Sequence, residues 1–371
     1  MSTWYDDLFS STIEPALPPT ASLLIYGAGH TGQRVAHALK AEGVVIPAFL
    51  DRNAKSGQTV SGIPVLKPPE AVSLKNLSVL VAVFNPHRNA RFADVAETLK
   101  AQGFSTVYSL EHFYISHPSG LPDIYWLTHP SFYAEHRSEI EAADALWSDE
   151  KSRHLYRSIL RHRTTGVDNL PEPMPHLQYI PKDVPLLQPP YRFVDIGAFD
   201  GDTLAVLKKH KGMFESVFAF EPDMNNFNAL AKRVQMEGPF ATGITCLFPC
   251  GSGETCDTVS FIQDGSEAAK VCSANTAHAV QIPVVSIGTV LHNANPNYIK
   301  MDVEGFEEVS LVGLKNLIEN DRPMLAICVY HRPSDLFRIP LLLSSWQYDA
   351  DYYLRLHGEH GFETVLYAVP K

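Results

Sequence analysis

Two apolar runs in this chain each end in a glycine-bearing turn that opens into a helical pattern, and this arrangement restricts the fold more than any other feature. The first run, Leu23-Leu24-Ile25-Tyr26, leads into Gly27-Ala28-Gly29-His30-Thr31-Gly32 and the helical stretch Gln33–Ala41. The second, Tyr191 to Val194, leads into Asp195-Ile196-Gly197-Ala198-Phe199-Asp200-Gly201-Asp202-Thr203 and the helical stretch Leu204–His210. Strand, glycine turn and helix in that order form the ligand-holding corner of a doubly wound α/β domain. At 371 residues the chain exceeds a comfortable single core, so two such domains are expected.

The two turns differ in charge. No acidic residue lies between Leu23 and Ala41, and the neutral G-x-G-x-x-G suits a pyrophosphate held on helix N-terminal amides. Asp51 ends the next apolar run, Val44–Leu50, nineteen positions after Gly32, the spacing at which a carboxylate reaches a ribose hydroxyl. Gly27, Gly29, Gly32 and Asp51 are therefore a candidate nucleotide site. The second turn carries Asp195, Asp200 and Asp202. These would repel a phosphate but suit a ligand with positive charge, and S-adenosylmethionine, with its sulfonium and ammonium groups, is such a ligand. Glu221 closes the apolar strand Val217–Phe220 twenty residues after Gly201, and Pro222 stops that strand. Such a carboxylate either caps a helix or accepts hydrogen bonds from both ribose hydroxyls of an adenosine; the spacing from the turn favours the latter.

A third cluster, Lys300-Met301-Asp302-Val303-Glu304-Gly305-Phe306-Glu307, follows a strand beginning at Tyr298. Ligands of α/β sheets bind at the carboxyl ends of strands, so Asp302 is expected to face either the methionyl end of the cofactor or an acceptor hydroxyl. Glu304 stands beside it as a further cofactor-binding candidate, although Glu304 and Glu307 would also suit the start of a helix. His331 comes just past Leu325–Tyr330, at the end of the next strand, where a histidine can act as a general base or as a structural group.

Composition limits the partners. The net charge of −11 and the lack of a basic stripe argue against nucleic acid, whose phosphates need clustered Lys and Arg. The beginning, Met1-Ser2-Thr3-Trp4, has no signal-peptide character, and no apolar run approaches the roughly 18 residues of a membrane span. A soluble cytoplasmic protein without membrane insertion is expected. Cys246, Cys250, Cys256 and Cys272 fall close together, but without a C-x-x-C pair and with His278 off any familiar ligand spacing. Thiols, not a zinc site, are the expectation.

The domains read as 1–116, a Rossmann-like unit; 117–190, a connector; and 191–371, the second α/β unit. Strands are expected at Leu23–Tyr26, Val44–Leu50, Leu77–Phe84 and Thr106–Ser109 in the first, with helices at Thr31–Ala41, Pro69–Leu74 and Ala90–Gln102. Asn85-Pro86-His87-Arg88 ends its third strand, on the ligand side. In the connector, Ser131–Arg163 is polar and helical, and Pro171–Pro190 holds seven prolines, which forbids long regular elements. A linker and a cover over the second domain are equally compatible with it. The second domain should place strands at Arg192–Asp195, Ser216–Glu221, Thr245–Phe248, Tyr298–Met301 and Leu325–Val329, then a terminal hairpin, Tyr352–Leu356 with Thr364–Ala368.

With these residues in view, Tyr191 to Lys371 resembles the FkbM-type methyltransferases. The resemblance rests on Phe193–Thr203, Phe220-Glu221-Pro222, Ile299–Glu307, and the tail Tyr353–His357 with Glu363–Ala368. It implies a seven-stranded class I methyltransferase sheet ending in a β-hairpin, dependence on S-adenosylmethionine, and transfer to a hydroxyl of a sugar, glycan or secondary metabolite. Residues 195, 197–203, 221, 222, 302 and 304 would then hold the cofactor: Asp195, Gly197, Ala198, Phe199, Asp200, Gly201, Asp202, Thr203, Glu221, Pro222, Asp302 and Glu304. Asp302 or His331 would be the catalytic base. The sequence departs from the family pattern at Phe199, at Phe248–Ser252 and at Gly288-Thr289, which bears on the adenine pocket and acceptor choice. No second acidic ligand beside Asp302 stands at a family-like position, so no metal is expected.

The first domain resembles the nucleotide-sugar-binding N-terminal domain of bacterial sugar acetyltransferases, through Gly27–Gly32, Phe49-Leu50-Asp51, Gly62–Val65, Val81–Val83, Asn85 and Arg88. That implies a nucleotide, nucleotide-sugar or NAD(P) site, or a degenerate scaffold. The leading reading is an S-adenosylmethionine-dependent O-methyltransferase with a small-molecule or glycan acceptor; a homo-oligomer is compatible with it. Two rivals are an NAD(P)-dependent oxidoreductase led by the first turn, which lacks a Tyr-x-x-x-Lys pair, and a nucleotide-sensing scaffold with both sites degenerate.

Overall fold

The computed structural model describes residues 4–10, 17, 22–84, 91–117, 121–167, 169–174, 178–211, 213–238, 240–261 and 279–371. Asn85 to Arg88, Cys272 and His278 lie outside the described residues, as does the first residue of the helix expected from Ala90. The chain divides into two compact units. Unit 1 comprises Met1–Glu141, His154–Pro173 and Gly358–Phe362; unit 2 comprises Ala142–Arg153, Met174–His357 and Glu363–Lys371.

Unit 1 is built on strands β1 (Leu24–Tyr26), β2 (Phe49–Leu50), β3 (Thr59–Val60), β4 (Ile63–Leu66), β5 (Val79–Val81) and β6 (Val107–Tyr108), in the spatial order β3-β4-β2-β1-β5-β6. All neighbours are parallel except the β3–β4 hairpin. Parallel strands covered on both faces are apolar throughout, and β1, β2 and β5 supply Leu24, Leu50, Val79 and Val81 to the core, with Leu99 and Phe104 packed on them. The helix His30–Ala41 follows β1. The run Val44–Leu50 pairs as a strand only at its last two residues, and the expected helix Pro69–Leu74 is replaced by two 3₁₀ turns, Pro68–Glu70 and Val72–Leu74. The polar stretch expected to be helical breaks into Ser131–Glu135, Arg137–Asp144 and Glu150–Thr165.

Unit 2 carries a seven-stranded sheet. Its strands are β7 (Tyr191–Ile196), β8 (Phe214–Phe220), β9 (Ala241–Phe248), β13 (Tyr298–Met301), β14 (Met324–Cys328), β15 (Ala350–Leu356) and β16 (Thr364–Pro370). Their order is β15-β16-β14-β13-β7-β8-β9. The five strands from β14 to β9 are parallel, and β16 runs antiparallel between β14 and β15. The sheet reverses direction of winding between β7 and β13, so the ends of these two adjacent strands form the crevice where such sheets bind ligands. Beside it lies a three-stranded sheet, β10 (Gly251–Ser252), β11 (Asp257–Phe261) and β12 (Val280–Val285), in the order β10-β12-β11. The two doubly wound α/β units expected from the sequence are present; the small sheet is not among its predicted elements.

Candidate active site at the ends of β7 and β13

The turn after β7 is shaped by two glycines. Gly197 has φ +79°, and a Cβ on it would lie 1.8 Å from the Asp302 carbonyl oxygen; Gly201 has φ +83°, with Leu230 Cδ1 2.8 Å from the corresponding position. Only glycine meets both demands. Gly197→Ala is thus expected to cost at least about 2 kcal/mol, from left-handed strain plus displacement of the backbone opposite. Urea denaturation measures this, and a variant as stable as wild type would show that the turn does not need the close approach.

The polar groups of the turn are held from below and behind. Asp195 is wholly buried and sits opposite Lys300 in the β7–β13 register, with Lys300 Nζ 3.2 Å from its Oδ1; the same ammonium donates to the Gly197 carbonyl. Desolvation pushes Asp195 up to about 6, against the attraction of Lys300. Gly197 and Ala198 donate their amides to the Phe220 carbonyl, both at 3.0 Å. Glu221, at the end of β8, accepts from Phe199 N at 2.9 Å and from Asp223 N at 2.8 Å. That first bond holds Phe199 in a left-handed conformation, φ +50°, rare for a residue with a side chain. Burial pushes Glu221 up to about 7. Pro222 beside it is half-buried.

Asp200 accepts from Arg233 Nη2 at 2.7 Å, and its carbonyl from Arg233 Nε at 2.7 Å. Asp202 is exposed and accepts from Thr203 N at 2.7 Å, opening the helix Asp202–Lys211. The helix cap after β8 is Asp223, which accepts from Asn225 N and Asn226 N, so Glu221 is not that cap. Asp-x-Asn-Asn before an apolar-periodic stretch is the signal that could have identified it.

The second half of the site is a knot of ionisable groups after β13. Asp302 N donates to the Ile196 carbonyl at 2.9 Å, joining this segment to the glycine turn. Asp302 Oδ2 accepts from the Tyr179 hydroxyl at 3.2 Å, while Oδ1 is buried without a hydrogen-bond donor. Glu304, with φ +52°, and Gly305, with φ +91°, turn the chain sharply. His331 is buried; its Nε2 lies 3.4 Å from Asp302 Oδ1 and 3.6 Å from Glu304 Oε1, and its Nδ1 lies 2.7 Å from Glu307 Oε1. Burial alone would lower its pKa, but Glu307 and Glu304 outweigh burial and hold it well above the usual imidazole range. Burial pushes Asp335 and Glu363 up to about 7, with Glu307 adding to the first and Asp302 to the second.

Tyr179 comes from the proline-rich stretch, and nothing in its sequence neighbourhood marks it. Its amide donates to the Tyr367 hydroxyl at 3.0 Å. Tyr367 in turn lies 2.9 Å from His357 Nε2, whose Nδ1 lies 2.8 Å from the Met174 carbonyl. Burial pushes His357 down to about 4, so its imidazole is neutral and Nδ1–H donates to Met174. These contacts hold Tyr179 from the terminal hairpin.

In unit 1, Gly27 has φ +105°, and a Cβ on Gly32 would lie 1.9 Å from the Gly27 carbonyl oxygen. Gly29 faces open space at the start of the helix His30–Ala41, which has no side-chain cap. Asp51 accepts from Asn53 N at 2.9 Å and from Ala28 N at 3.4 Å, so the structure brings all four candidate residues of the first turn together.

Residues 195–352 match the family profile described as the methyltransferase FkbM domain. They span the glycine turn, Glu221, the Asp302 cluster and His331. The C-terminal half of this chain is an FkbM methyltransferase domain. In fold, the chain is similar to the crystal structure of methyltransferase FkbM from Methylobacillus flagellatus KT, at 22% identity and a TM-score of 0.73, covering 94% of this chain and 90% of that one. A fibrillarin from Aeropyrum pernix, in complex with natively bound S-adenosyl-L-methionine, aligns over 51% of this chain and 71% of its own, at 12% identity and a TM-score of 0.32. No curated protein matches the sequence. The protein is a methyltransferase, and the FkbM domain implies S-adenosylmethionine as methyl donor. No helix of the described residues is long and apolar enough to cross a membrane.

The turn around Gly197 fits that donor. Among its carboxylates, Asp195 is paired with Lys300 and Asp200 with Arg233, while Asp202 is exposed and can face a sulfonium or an ammonium.

Proposed function

We propose that the FkbM domain is an O-methyltransferase that acts on a hydroxyl of a sugar, glycan or secondary metabolite. The observation that carries this reading is the junction of the β7 turn with Asp302, whose carbonyl lies against Gly197 and whose carboxylate keeps one oxygen without a donor. Gly197, Ala198, Phe199, Gly201 and Thr203 would cradle the cofactor, with Asp200 and Asp202 at the rim, Glu221 and Pro222 at the ribose, and Glu304 near the methionyl end. Asp195 supports the turn from beneath through Lys300. S-adenosylmethionine supplies an already activated methyl group, so the residues mainly align acceptor and donor, an effect worth up to ~7–11 kcal/mol. Asp302 takes the acceptor proton. His331, held protonated by Glu307 and Glu304, is a poor base and instead steadies the carboxylates around it. Titration calorimetry tests the core: micromolar binding of S-adenosylmethionine by wild type and its loss in Glu221→Ala are expected. Absence of binding, or equal binding by the variant, would sink the reading.

Glu221 also sets a pH dependence. With its pKa near 7, the carboxylate that accepts ribose hydroxyls is half-formed there, so affinity for S-adenosylmethionine rises from pH 6 to pH 8. A carboxyl raised in the folded state favours folding below its unfolded pKa and loses that contribution as pH climbs through the folded value. Wild type therefore loses stability relative to Glu221→Gln between about pH 4.5 and pH 7. Parallel pH profiles of binding and melting in the two proteins would refute the assignment.

For unit 1, the uncapped helix start beside Gly27, Gly29 and Gly32, with Asp51 nineteen residues on, supports a nucleotide or nucleotide-sugar site. A thermal-shift screen with UDP-sugars, NAD(H) and S-adenosylmethionine separates that site from an NAD(P) site and from a scaffold; no shift with any nucleotide would leave unit 1 a scaffold.

A further inference from the structure

The same crevice carries a ligand set that methyl transfer alone does not call for. Asp302, Glu304 and His331 each offer one donor atom, all within 4.8 Å of one another. They come from two neighbouring strand ends, one oxygen-bearing turn and one imidazole. Asp302 Oδ1 is a buried oxygen without a hydrogen-bond donor. The imidazole is oriented from behind: Glu307, wholly buried on the next helix, holds His331 Nδ1 at 2.7 Å and leaves Nε2 directed at the two carboxylates. A carboxylate fixing the far nitrogen of a histidine is the usual support of a metal-ligating imidazole.

Charge points the same way. Asp302, Glu304 and Glu307 all lie within 3.6 Å of the one His331 imidazole. Lys300 on β13 is already committed to Asp195 and the Gly197 carbonyl. Cys328 and Glu363 also approach Asp302, but Cys328 is wholly buried and its Sγ lies 3.5 Å from the Tyr179 hydroxyl.

We propose that Asp302, Glu304 and His331 bind a divalent cation of the Mn²⁺ class, on which an acceptor hydroxyl oxygen completes the coordination. Two carboxylates with one imidazole and no thiolate favour such a hard-to-borderline ion over Zn²⁺ held by sulfur. Water or the acceptor fills the remaining positions, and binding releases the proton from Nε2. The role of the ion toward the acceptor rests on the O-methyltransferase reading, whereas its binding does not.

Mn²⁺ alone is the probe. Added to the full chain without S-adenosylmethionine or acceptor, one equivalent of Mn²⁺ is expected to lose the free aqua-ion spectrum in electron paramagnetic resonance. Spin-echo modulation should then show one imidazole nitrogen coupled to the ion. His331→Gln and Glu304→Gln should each weaken binding by on the order of tenfold or more, while Asp257→Asn, on exposed β11, leaves it unchanged. Circular dichroism verifies that the variants fold, and the echo measurement on wild type decides the matter if they do not. A free-ion spectrum that persists at millimolar protein, a bound ion without nitrogen coupling, or undiminished uptake by folded His331→Gln and Glu304→Gln would each overturn the proposal. Calorimetry with S-adenosylmethionine on the same samples keeps the two failures apart: intact donor binding without Mn²⁺ uptake refutes the cation site and spares the methyltransferase reading.

Discussion

Asp302→Asn is expected to lower kcat by about 10²–10⁴-fold, the range that a positioned proton acceptor contributes. Asparagine keeps the shape of the side chain and an oxygen for the Tyr179 hydroxyl, which lies 3.2 Å from Oδ2 in the native protein. It removes the negative charge that both proton transfer and cation binding require. The backbone of residue 302, bonded to Ile196 and packed on Gly197, is untouched, so S-adenosylmethionine should still bind. The measurement is kcat at saturating donor and acceptor, with donor binding followed by calorimetry. Turnover close to wild type would remove Asp302 from the chemistry. Tyr179→Phe is expected to give a smaller loss in the same assay, because it removes one hydrogen bond to the carboxylate and leaves the charge.

How this site could be read from the sequence depended on how local its parts are. The β7 turn, the strand before it and the helix after it are contiguous, so glycine spacing and apolar periodicity reveal them together. β13 and β14 are equally visible as short, mostly apolar strands, and the predicted Tyr298–Met301 coincides with the observed element. Tyr179 and Arg233 were not legible. The first reaches Asp302 across 123 residues from a segment without periodicity, and the second holds Asp200 from the middle of a helix. Neither local composition nor spacing carries that information. Glu307 was visible as an acidic residue but read as a helix opener; its bond to His331 appears only once β13 and β14 lie side by side.

That Asp302 and Glu304 meet at one imidazole was not legible either, for a related reason. Glu304 is two residues away, and in an extended strand it would point along the same face at a distance of about 7 Å. The left-handed turn at Glu304 and Gly305 folds it back toward His331 instead. A conformation reached through positive φ cannot be inferred from a strand-like pattern. In the small sheet β10-β12-β11, β10 is only two residues long, β11 begins on Asp257, and Pro283 interrupts the otherwise apolar end of β12, so no period-2 alternation marks the three as one sheet.

Lys300→Met is expected to destabilise unit 2 by about 3–5 kcal/mol, the cost of leaving one partner of a buried ion pair uncompensated. Lys300 and Asp195 are 3% and 0% exposed, cross-strand partners in adjacent parallel strands, and the ammonium is also the donor to the Gly197 carbonyl. Desolvation already pushes Asp195 up to about 6 with Lys300 present, and without it the carboxyl rises further. A carboxyl raised in the folded state gives up stability as pH increases through its folded pKa, so the variant should lag wild type less at pH 5 than at pH 8. Adding Asp195→Asn removes the stranded charge, and the double variant should regain much of the loss, giving a coupling energy of about 1–3 kcal/mol in urea denaturation. An additive cycle, or a loss independent of pH, would mean that Lys300 acts through packing and its bond to Gly197 alone. The pair would then be a brace for the glycine turn, and the negative charge of Asp195 would have no part in preparing it for a cationic donor.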